Sequence, residues 1–176
     1  MTERYVIIGG PSSGKTTVVE KLAELGYATV AESARLILEE MRLADPRPVR
    51  DAFQCEVFRR QLDAEARILD GVKTSFLDGG IFDGCAYYLN DGLDVPSMFD
   101  TVDGSRYSQA FLFEPLDVFV QDGIRYQNAE SSRHVAELLF QCYEARGIAV
   151  ERVPNASIEE RVHAILNRVN SVRLNP

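Results

Sequence analysis

A segment near the start of the chain has the residue types and spacing that bind phosphate. Gly9-Gly10-Pro11-Ser12-Ser13-Gly14-Lys15-Thr16 satisfies the pattern G-x-x-x-x-G-K-[ST] in full. Its glycines let the backbone wrap closely around a phosphate, and a helix opening at Lys15 adds amide donors and a positive dipole end. In this pattern we expect Lys15 to reach the β- and γ-phosphates of a nucleoside triphosphate, with ATP as the default, so Lys15 is also a catalytic candidate. The Thr16 hydroxyl is expected to bind Mg²⁺.

The surroundings of this segment favour a phosphate site over a chance glycine-rich turn. A short β-branched run over residues 5–8 precedes it, and an amphipathic helix with Val18, Val19, Leu22 and Leu25 on one face follows. The predicted nucleotide-binding residues of this region are Gly9, Gly10, Pro11, Ser12, Ser13, Gly14, Lys15, Thr16 and Thr17.

Asp78 ends an apolar strand predicted over residues 74–77. A carboxylate at that place orients Mg²⁺ or its waters in phosphate-binding proteins, so Thr16 and Asp78 are the predicted metal ligands and Asp78 is also a catalytic candidate. The alternative is that Asp78 caps the next helix or closes a turn with Gly79 and Gly80.

Glu32 directly follows the second predicted strand and is a candidate catalytic base. A carboxylate there can accept the proton of an acceptor hydroxyl as phosphate arrives. The alternative is a helix N-terminal charge that favours the dipole, with Arg35 paired to Glu32 one turn along. Glu32 and Arg35 are both predicted to contact the acceptor.

Two further groups of residues extend this hypothesis. Arg125 and Arg133 lie in and just after a polar segment, so residues 121–133 are a predicted lid, with Arg125 catalytic and Arg133 nucleotide-binding; the alternative is ordinary solvated arginines. Asp83 and Tyr87, on the helix predicted after the third strand, are predicted to contact the acceptor, although a tyrosine at this place also suits core packing.

These residues must be positioned by alternating strands and helices. Hydrophobic patterns predict strands over residues 5–8, 27–31, 74–77, 110–113 and 148–150, and helices over 16–25, 33–42, 50–69, 82–89 and 130–145. A capping box, Ser157-x-x-Glu160, opens a last helix with a predicted buried stripe of Ile158, Val162, Ile165 and Val169. The alternation predicts an α/β fold, a three-layer α/β/α sandwich with a mainly parallel five-stranded sheet, whose carboxyl edge collects the motifs.

Composition narrows the class of protein. The 176 residues suit one domain, 1–176, and a net charge of −8 argues against general nucleic-acid binding. No apolar run reaches the ~20 residues of a membrane helix and no secretory signal is visible, so we expect a cytoplasmic protein without membrane insertion. Three widely spaced cysteines and two histidines indicate reduced thiols and no structural zinc site. The sequence gives no oligomeric state.

In these motifs the chain resembles small P-loop ATPase/kinase-like proteins of the AAA-domain group, which are related to the ribosylnicotinamide kinase domain and, more distantly, to thymidylate and deoxynucleoside kinases. The resemblance covers nearly the whole chain. The matching segments are 9–16 (GGPSSGKT), 30–35 (VAESAR), 52–54 (AFQ), 60–61 (RQ), 78–88 (DGGIFDGCAYY) and 122–125 (DGIR). The family commonly has an arginine after the strand-3 aspartate, where this chain has Gly79.

Three functions fit these observations. The favoured one is a kinase that moves the γ-phosphoryl of ATP to a small, nucleoside-like or other metabolite acceptor. The others are an NTPase switch and a nucleotide-dependent binding module without kinase chemistry. The absence of Asn-Lys-x-Asp argues against a conventional GTPase, and the length leaves no room for a second AAA subdomain, which argues against a mechanical ATPase.

Overall fold

The computed structural model describes residues 2–43, 45–114 and 129–174, within which strands and helices alternate along the chain. The strands are β1 (Glu3–Gly9), β2 (Ala28–Val30), β3 (Thr74–Asp78), β4 (Gln109–Phe113) and β5 (Val150–Val153). The α-helices are α1 (Lys15–Glu24), α2 (Ser33–Met41), α3 (Arg50–Ala66), α4 (Asp83–Asn90), α5 (Ala129–Glu144) and α6 (Ile158–Leu174). Short 3₁₀ turns cover Arg47–Val49, Ser97–Thr101 and Gly104–Arg106.

The described strands form one parallel sheet in the order β2-β3-β1-β4-β5. Ile7 of β1 is in register with Asp78 of β3, and Gly9 is in register with Phe113 of β4. The end of β1 therefore lies between the ends of β3 and β4, and the segment after β1 is at the centre of the sheet's carboxyl edge. This arrangement confirms the predicted α/β fold with a parallel sheet.

Both faces of the sheet are covered, because side chains on β1 alternate between two hydrophobic clusters. Val6 and Ile8 pack into a cluster with residues of α4 and α5, whereas Tyr5 and Ile7 pack into one with residues of α1 and α6. Each of these strand residues is 1% exposed or less. A strand buried on both faces reads as a continuous apolar run, which is why it was visible in the sequence.

The fifth strand differs from the prediction. It was expected over residues 148–150, and it runs over Val150–Val153. Ile148 is buried in the core before the strand begins, while Glu151 and Arg152 pair with β4 at the edge of the sheet. Edge strands carry charged residues readily, so the apolar run pointed to the wrong residues.

The apolar stripes predicted for two helices were each wrong at one position. Leu25 lies beyond the end of α1 and is 54% exposed, and Ile158, at the start of α6, is 37% exposed. On α6 the buried position of the first turn belongs to Arg161, which is 2% exposed. Val162, Ile165 and Val169 are buried as expected, and the Ser157–Glu160 capping box is formed in both directions. Among the described helices, none combines the length and hydropathy that a membrane span requires.

Candidate functional site

The phosphate loop, residues 9–16, joins β1 to α1 at the carboxyl edge of the sheet. Gly14 is the N-cap of α1 and has a φ of 84°, a left-handed conformation that favours glycine. No described side chain caps this helix start, and no acidic residue lies in its first turn. The first amides of α1 have no acceptor within the helix, so they are suited to bind an anion such as phosphate.

Lys15 is hydrogen-bonded to backbone carbonyl groups of the same loop. The Lys15 ammonium donates hydrogen bonds to the carbonyl oxygens of Gly9, at 2.9 Å, and Gly10, at 3.2 Å. The side chain is buried, with 6% of its surface exposed. Contact between Lys15 and nucleotide phosphates remains a prediction, and this position at the mouth of the loop is compatible with it.

The two predicted metal ligands lie in direct contact. The Thr16 hydroxyl donates a 2.6 Å hydrogen bond to Oδ2 of Asp78, which is buried at the end of β3. Mg²⁺ prefers oxygen ligands, and a hydroxyl and a carboxylate are both of this kind. These residues therefore fit a magnesium ion, with Thr16 supplied by α1 and Asp78 by β3.

A cavity of about 280 Å³ opens beside the phosphate loop and extends between α2, α3 and α4. Lys15 and Asp78 line its inner end. All residues predicted to contact the acceptor line its walls, namely Glu32, Arg35, Asp83 and Tyr87. Five residues of α3 to which the sequence analysis assigned no role also line it, namely Arg50, Phe53, Gln54, Val57 and Gln61.

Asp83 is held at the wall of this cavity by a buried tyrosine. The Tyr143 hydroxyl on α5 donates a 2.6 Å hydrogen bond to Oδ1 of Asp83. Desolvation raises the pKa of Asp83 to about 7, although the hydrogen bond from Tyr143 and the charge of Lys15 oppose this rise. Asp83 therefore changes its charge near neutral pH.

Gly79 leaves room for the Asp83 carboxylate. Its φ is 77°, and a Cβ atom there would lie 2.8 Å from Oδ2 of Asp83. Any larger residue would be strained by its backbone conformation and by this contact. The arginine common at this place in the resembling family would thus be strained here, and the Asp83 carboxylate would have to shift to admit it.

Glu32 is the N-cap residue of α2, but its side chain makes no capping hydrogen bond to the helix. This place at the start of α2 is also the one expected for the structural alternative, a helix N-terminal charge that favours the dipole. Arg35 donates to Glu39 at 3.1 Å, one turn further along α2. The roles of Glu32 and Arg35 remain predictions, although both line the cavity.

The predicted lid is only partly visible. Arg125 and residues 121–128 lie outside the described residues. Arg133 is exposed on α5. Its neighbour Ser132 is buried, and the Ser132 hydroxyl donates to the carbonyl oxygen of Pro11 at 3.3 Å. The start of α5 is therefore packed against the phosphate loop, which keeps Arg133 near it.

A buried polar network that sequence reasoning missed lies behind the cavity. Glu65 of α3 is wholly buried and accepts hydrogen bonds from Tyr107, at 2.6 Å, and from Gln61, at 3.1 Å. The Arg106 guanidinium pairs with its second oxygen at 3.0 Å. The carboxylate thus has both a compensating charge and neutral donors, as a buried ion requires.

The same network makes hydrogen bonds to the segments at the carboxyl ends of β2 and β3, where Glu32 and Asp78 lie. The Ser33 hydroxyl, next to Glu32, donates to Gln61 at 2.8 Å. The Tyr107 hydroxyl accepts a 3.0 Å hydrogen bond from the amide of Ile81, which lies in the segment after Asp78. The network therefore joins the ends of β2 and β3.

Another buried cation was also missed. Arg50 of α3 binds Asp91 through two nitrogens, at 2.8 and 2.5 Å, and lies 5.9 Å from the ring centre of Tyr87. This ion pair fixes one wall of the cavity. No local pattern in the sequence pairs residues 41 positions apart, so only the fold reveals it.

A family model described as an AAA domain matches residues 4–161. No curated protein shows significant sequence similarity to the chain. Among solved structures, thymidylate kinase from Ehrlichia chaffeensis is 16% identical with a TM-score of 0.64, covering 96% of this chain and 98% of its own. Deoxyadenosine kinase from M. mycoides is 13% identical with a TM-score of 0.64, covering 96% and 99%.

The NadR protein in complex with NR is 20% identical with a TM-score of 0.74, covering 97% of this chain. The chain spans about half of NadR, 51% of its length. At these identities the structural matches establish the fold, whereas the family model covers most of the chain. The chain therefore belongs to the AAA-domain family and has the P-loop fold of nucleoside and nucleotide kinases.

Proposed function

We propose that this protein is a Mg²⁺-dependent kinase that transfers the γ-phosphoryl of ATP to a small, nucleoside-like or other metabolite acceptor. One observation carries the proposal. A cavity of about 280 Å³ runs from Lys15 and Asp78, at the phosphate loop, to the carboxylates of Glu32 and Asp83. This volume is near the lower end of small-molecule sites, and it lies where an acceptor must meet a transferable phosphate.

The nucleotide half of the site rests on the loop and on two oxygen ligands. The amides of the loop and the first turn of α1 would bind the phosphates, and the Lys15 ammonium would leave its carbonyl partners to reach them. Thr16 and Asp78 would hold Mg²⁺, which supplies neutralisation of phosphate charge. ATP and Mg²⁺ are thus the proposed cofactors.

The acceptor half rests on the cavity walls. Phe53 and Tyr87 offer flat apolar surface, and Gln54 offers an amide that can donate and accept hydrogen bonds. In the proposed step the acceptor oxygen attacks the γ-phosphorus, the bond from that phosphorus to the β–γ bridging oxygen breaks, and ADP leaves. The hydroxyl proton passes to Glu32.

A second function, an NTPase switch or nucleotide-dependent binding module, is favoured by one feature. Gly79 supplies no guanidinium where the resembling family commonly has one, and a side chain there would be strained by the left-handed backbone and by the Asp83 carboxylate. A site without that cation has less positive charge to stabilise a transferring phosphoryl group. In this reading the cavity would bind a ligand without phosphorylating it.

The decisive experiment measures ADP and inorganic phosphate together. The protein is incubated with Mg·ATP and a panel of nucleosides, nucleotides and small metabolites, with EDTA as the control. A kinase gives acceptor-stimulated ADP release without matching inorganic phosphate. A hydrolase gives equal amounts of both products, whatever acceptor is present, and that result would favour the switch.

A further inference from the structure

A buried arginine of α6, Arg161, is hydrogen-bonded to the backbone of the phosphate loop. The Arg161 guanidinium, in the first turn of α6, donates a 2.6 Å hydrogen bond to the carbonyl oxygen of Ser13 and a 3.1 Å hydrogen bond to Oδ1 of Asn155. It also lies 4.8 Å from the ring centre of Phe113, at the end of β4. Only 2% of the residue is exposed. The phosphate loop, β4 and α6 are thus joined through one side chain.

Within the described residues the charge of this side chain lacks a counter-ion. Among the described residues no carboxylate pairs with Arg161, and its Nε has no hydrogen-bond partner. Burial lowers the pKa of the guanidinium, which still stays protonated at neutral pH because its ordinary pKa is above about 12. An uncompensated buried charge is costly to the fold.

The positive ends of two neighbouring helices increase the free-energy cost of burying the Arg161 charge. Arg161 contacts the residue just before Gly14, the N-cap of α1, and it lies in the first turn of α6. Both helix ends carry positive partial charge. The Lys15 ammonium lies in the same loop. Several positive groups thus converge where the loop would bind an anion.

The hydrogen bond to Ser13 also sets the direction of a donor. In a trans peptide the carbonyl and the next amide point in opposite directions. Because Arg161 holds the Ser13 carbonyl toward α6, the Gly14 amide points away from α6. A cation on the carbonyl also polarises the peptide and strengthens its N–H as a donor.

We propose that Arg161 is a positioning residue for the bound nucleotide: it aims the Gly14 amide at the phosphates, and the triphosphate supplies the negative charge that no described residue supplies. The inference rests on the nucleotide binding proposed above, but not on the kinase step. It assigns a role in phosphate binding to a residue 148 positions away from its loop partner.

The first test replaces the charge with an apolar chain of similar length. Arg161→Met should leave the melting temperature of the nucleotide-free protein unchanged or higher, because a buried unpaired charge is removed. It should weaken Mg·ATP binding by about 10- to 100-fold, measured by calorimetry, since a charge-assisted contact is lost. Arg168→Met, an exposed arginine of the same helix, makes the same change in net charge and should bind Mg·ATP like the wild type.

The second test keeps the arginine and supplies a counter-ion within the protein. Asn155→Asp should raise the melting temperature of the nucleotide-free protein and weaken Mg·ATP binding by about fivefold. If Arg161→Met lowers the melting temperature, its loss of affinity could come from a damaged fold, and the Mg·ATP affinity of Asn155→Asp then tests the inference. Wild-type affinity in both variants would overturn the inference and leave the proposed function intact. A wild-type protein that binds no nucleotide would instead overturn the proposed function itself.

Discussion

Thr16 and Asp78, which lie 62 positions apart in the sequence, are joined by a 2.6 Å hydrogen bond from the threonine hydroxyl to the buried carboxylate. The contact forms because β1 and β3 are neighbours in the sheet and α1 begins directly after the loop that follows β1. It brings the two predicted Mg²⁺ ligands together, and Asp78 also lines the inner end of the cavity.

Thr16→Val and Asp78→Asn should therefore act on the same property, the Mg²⁺ dependence of nucleotide affinity. Each should abolish most of the gain in ATP affinity that Mg²⁺ gives, while binding in EDTA stays close to wild type. Calorimetry with and without Mg²⁺ measures this gain. Because one ion would need both ligands, the double variant should be little worse than either single one. Additive losses would show that the residues act separately.

Lys15→Met should remove most triphosphate affinity, with a loss on the order of 100-fold from the missing charged contact. The apolar chain fills the buried space, so far-ultraviolet circular dichroism should stay that of the wild type. Lys21→Met, at an exposed position of the same helix, is the matched control. A folded Lys15→Met variant with unchanged ATP affinity would exclude this loop as the phosphate site.

Glu32→Gln should leave ATP binding nearly unchanged and lower acceptor-dependent turnover by about 10²–10⁴-fold, the range for loss of a general base. Acceptor-free hydrolysis should persist. Glu40→Gln removes an exposed carboxylate of the same helix and should turn over like wild type. Equal turnover in the two variants would remove Glu32 from the mechanism.

The pKa of Asp83 predicts a pH dependence of stability. The ordinary value is 3.8 and the folded value is about 7, so between these values the folded protein keeps a proton that the unfolded chain releases. The free energy of unfolding should therefore fall as pH rises from about 4 to 7, by at most about 1.4 kcal/mol per pH unit from this group.

Asp83→Asn keeps an acceptor for Tyr143 and should flatten that part of the profile. Urea unfolding at a series of pH values, compared between wild type and variant, measures the difference. A difference that does not change with pH would mean that Asp83 is ionised in the folded protein throughout this range.

Glu65→Gln should destabilise the protein by about 2 kcal/mol, because a buried hydrogen-bonded charge is lost opposite Arg106. Asp63→Asn, on an exposed part of the same helix, should change stability by less than about 0.5 kcal/mol. Chemical unfolding of the two variants provides the measurement. Similar small effects in both would indicate that the Glu65 network contributes little to the fold.

The sequence by itself determined those features whose chemistry lies in contiguous residues or in strong periodicity. The phosphate loop is predicted from its contiguous G-x-x-x-x-G-K-[ST] pattern, which lies between a buried strand and a helix. Glu32 and Asp78 were found because they follow apolar strands, and parallel strands bring their carboxyl ends to one edge of a sheet. The order of the strands, and hence the contact between Asp78 and Thr16, required the fold.

Only the tertiary structure decided which charged residues are buried and what they contact. Arg161 and Glu65 resemble ordinary surface charges along their helices, yet their hydrogen-bond partners lie 148 and 42 positions away. Asp83 was predicted to contact the acceptor, but no pattern in the sequence indicated its hydrogen-bond partner, 60 positions away. Helical periodicity predicts which face of a helix packs against the core from its apolar residues. It does not predict that a polar side chain is buried, because its hydrogen-bond partner lies far away in the sequence. Desolvation in the fold sets the protonation of Asp83. The long-range contacts set the direction of the Ser13 carbonyl and the link between β2 and β3.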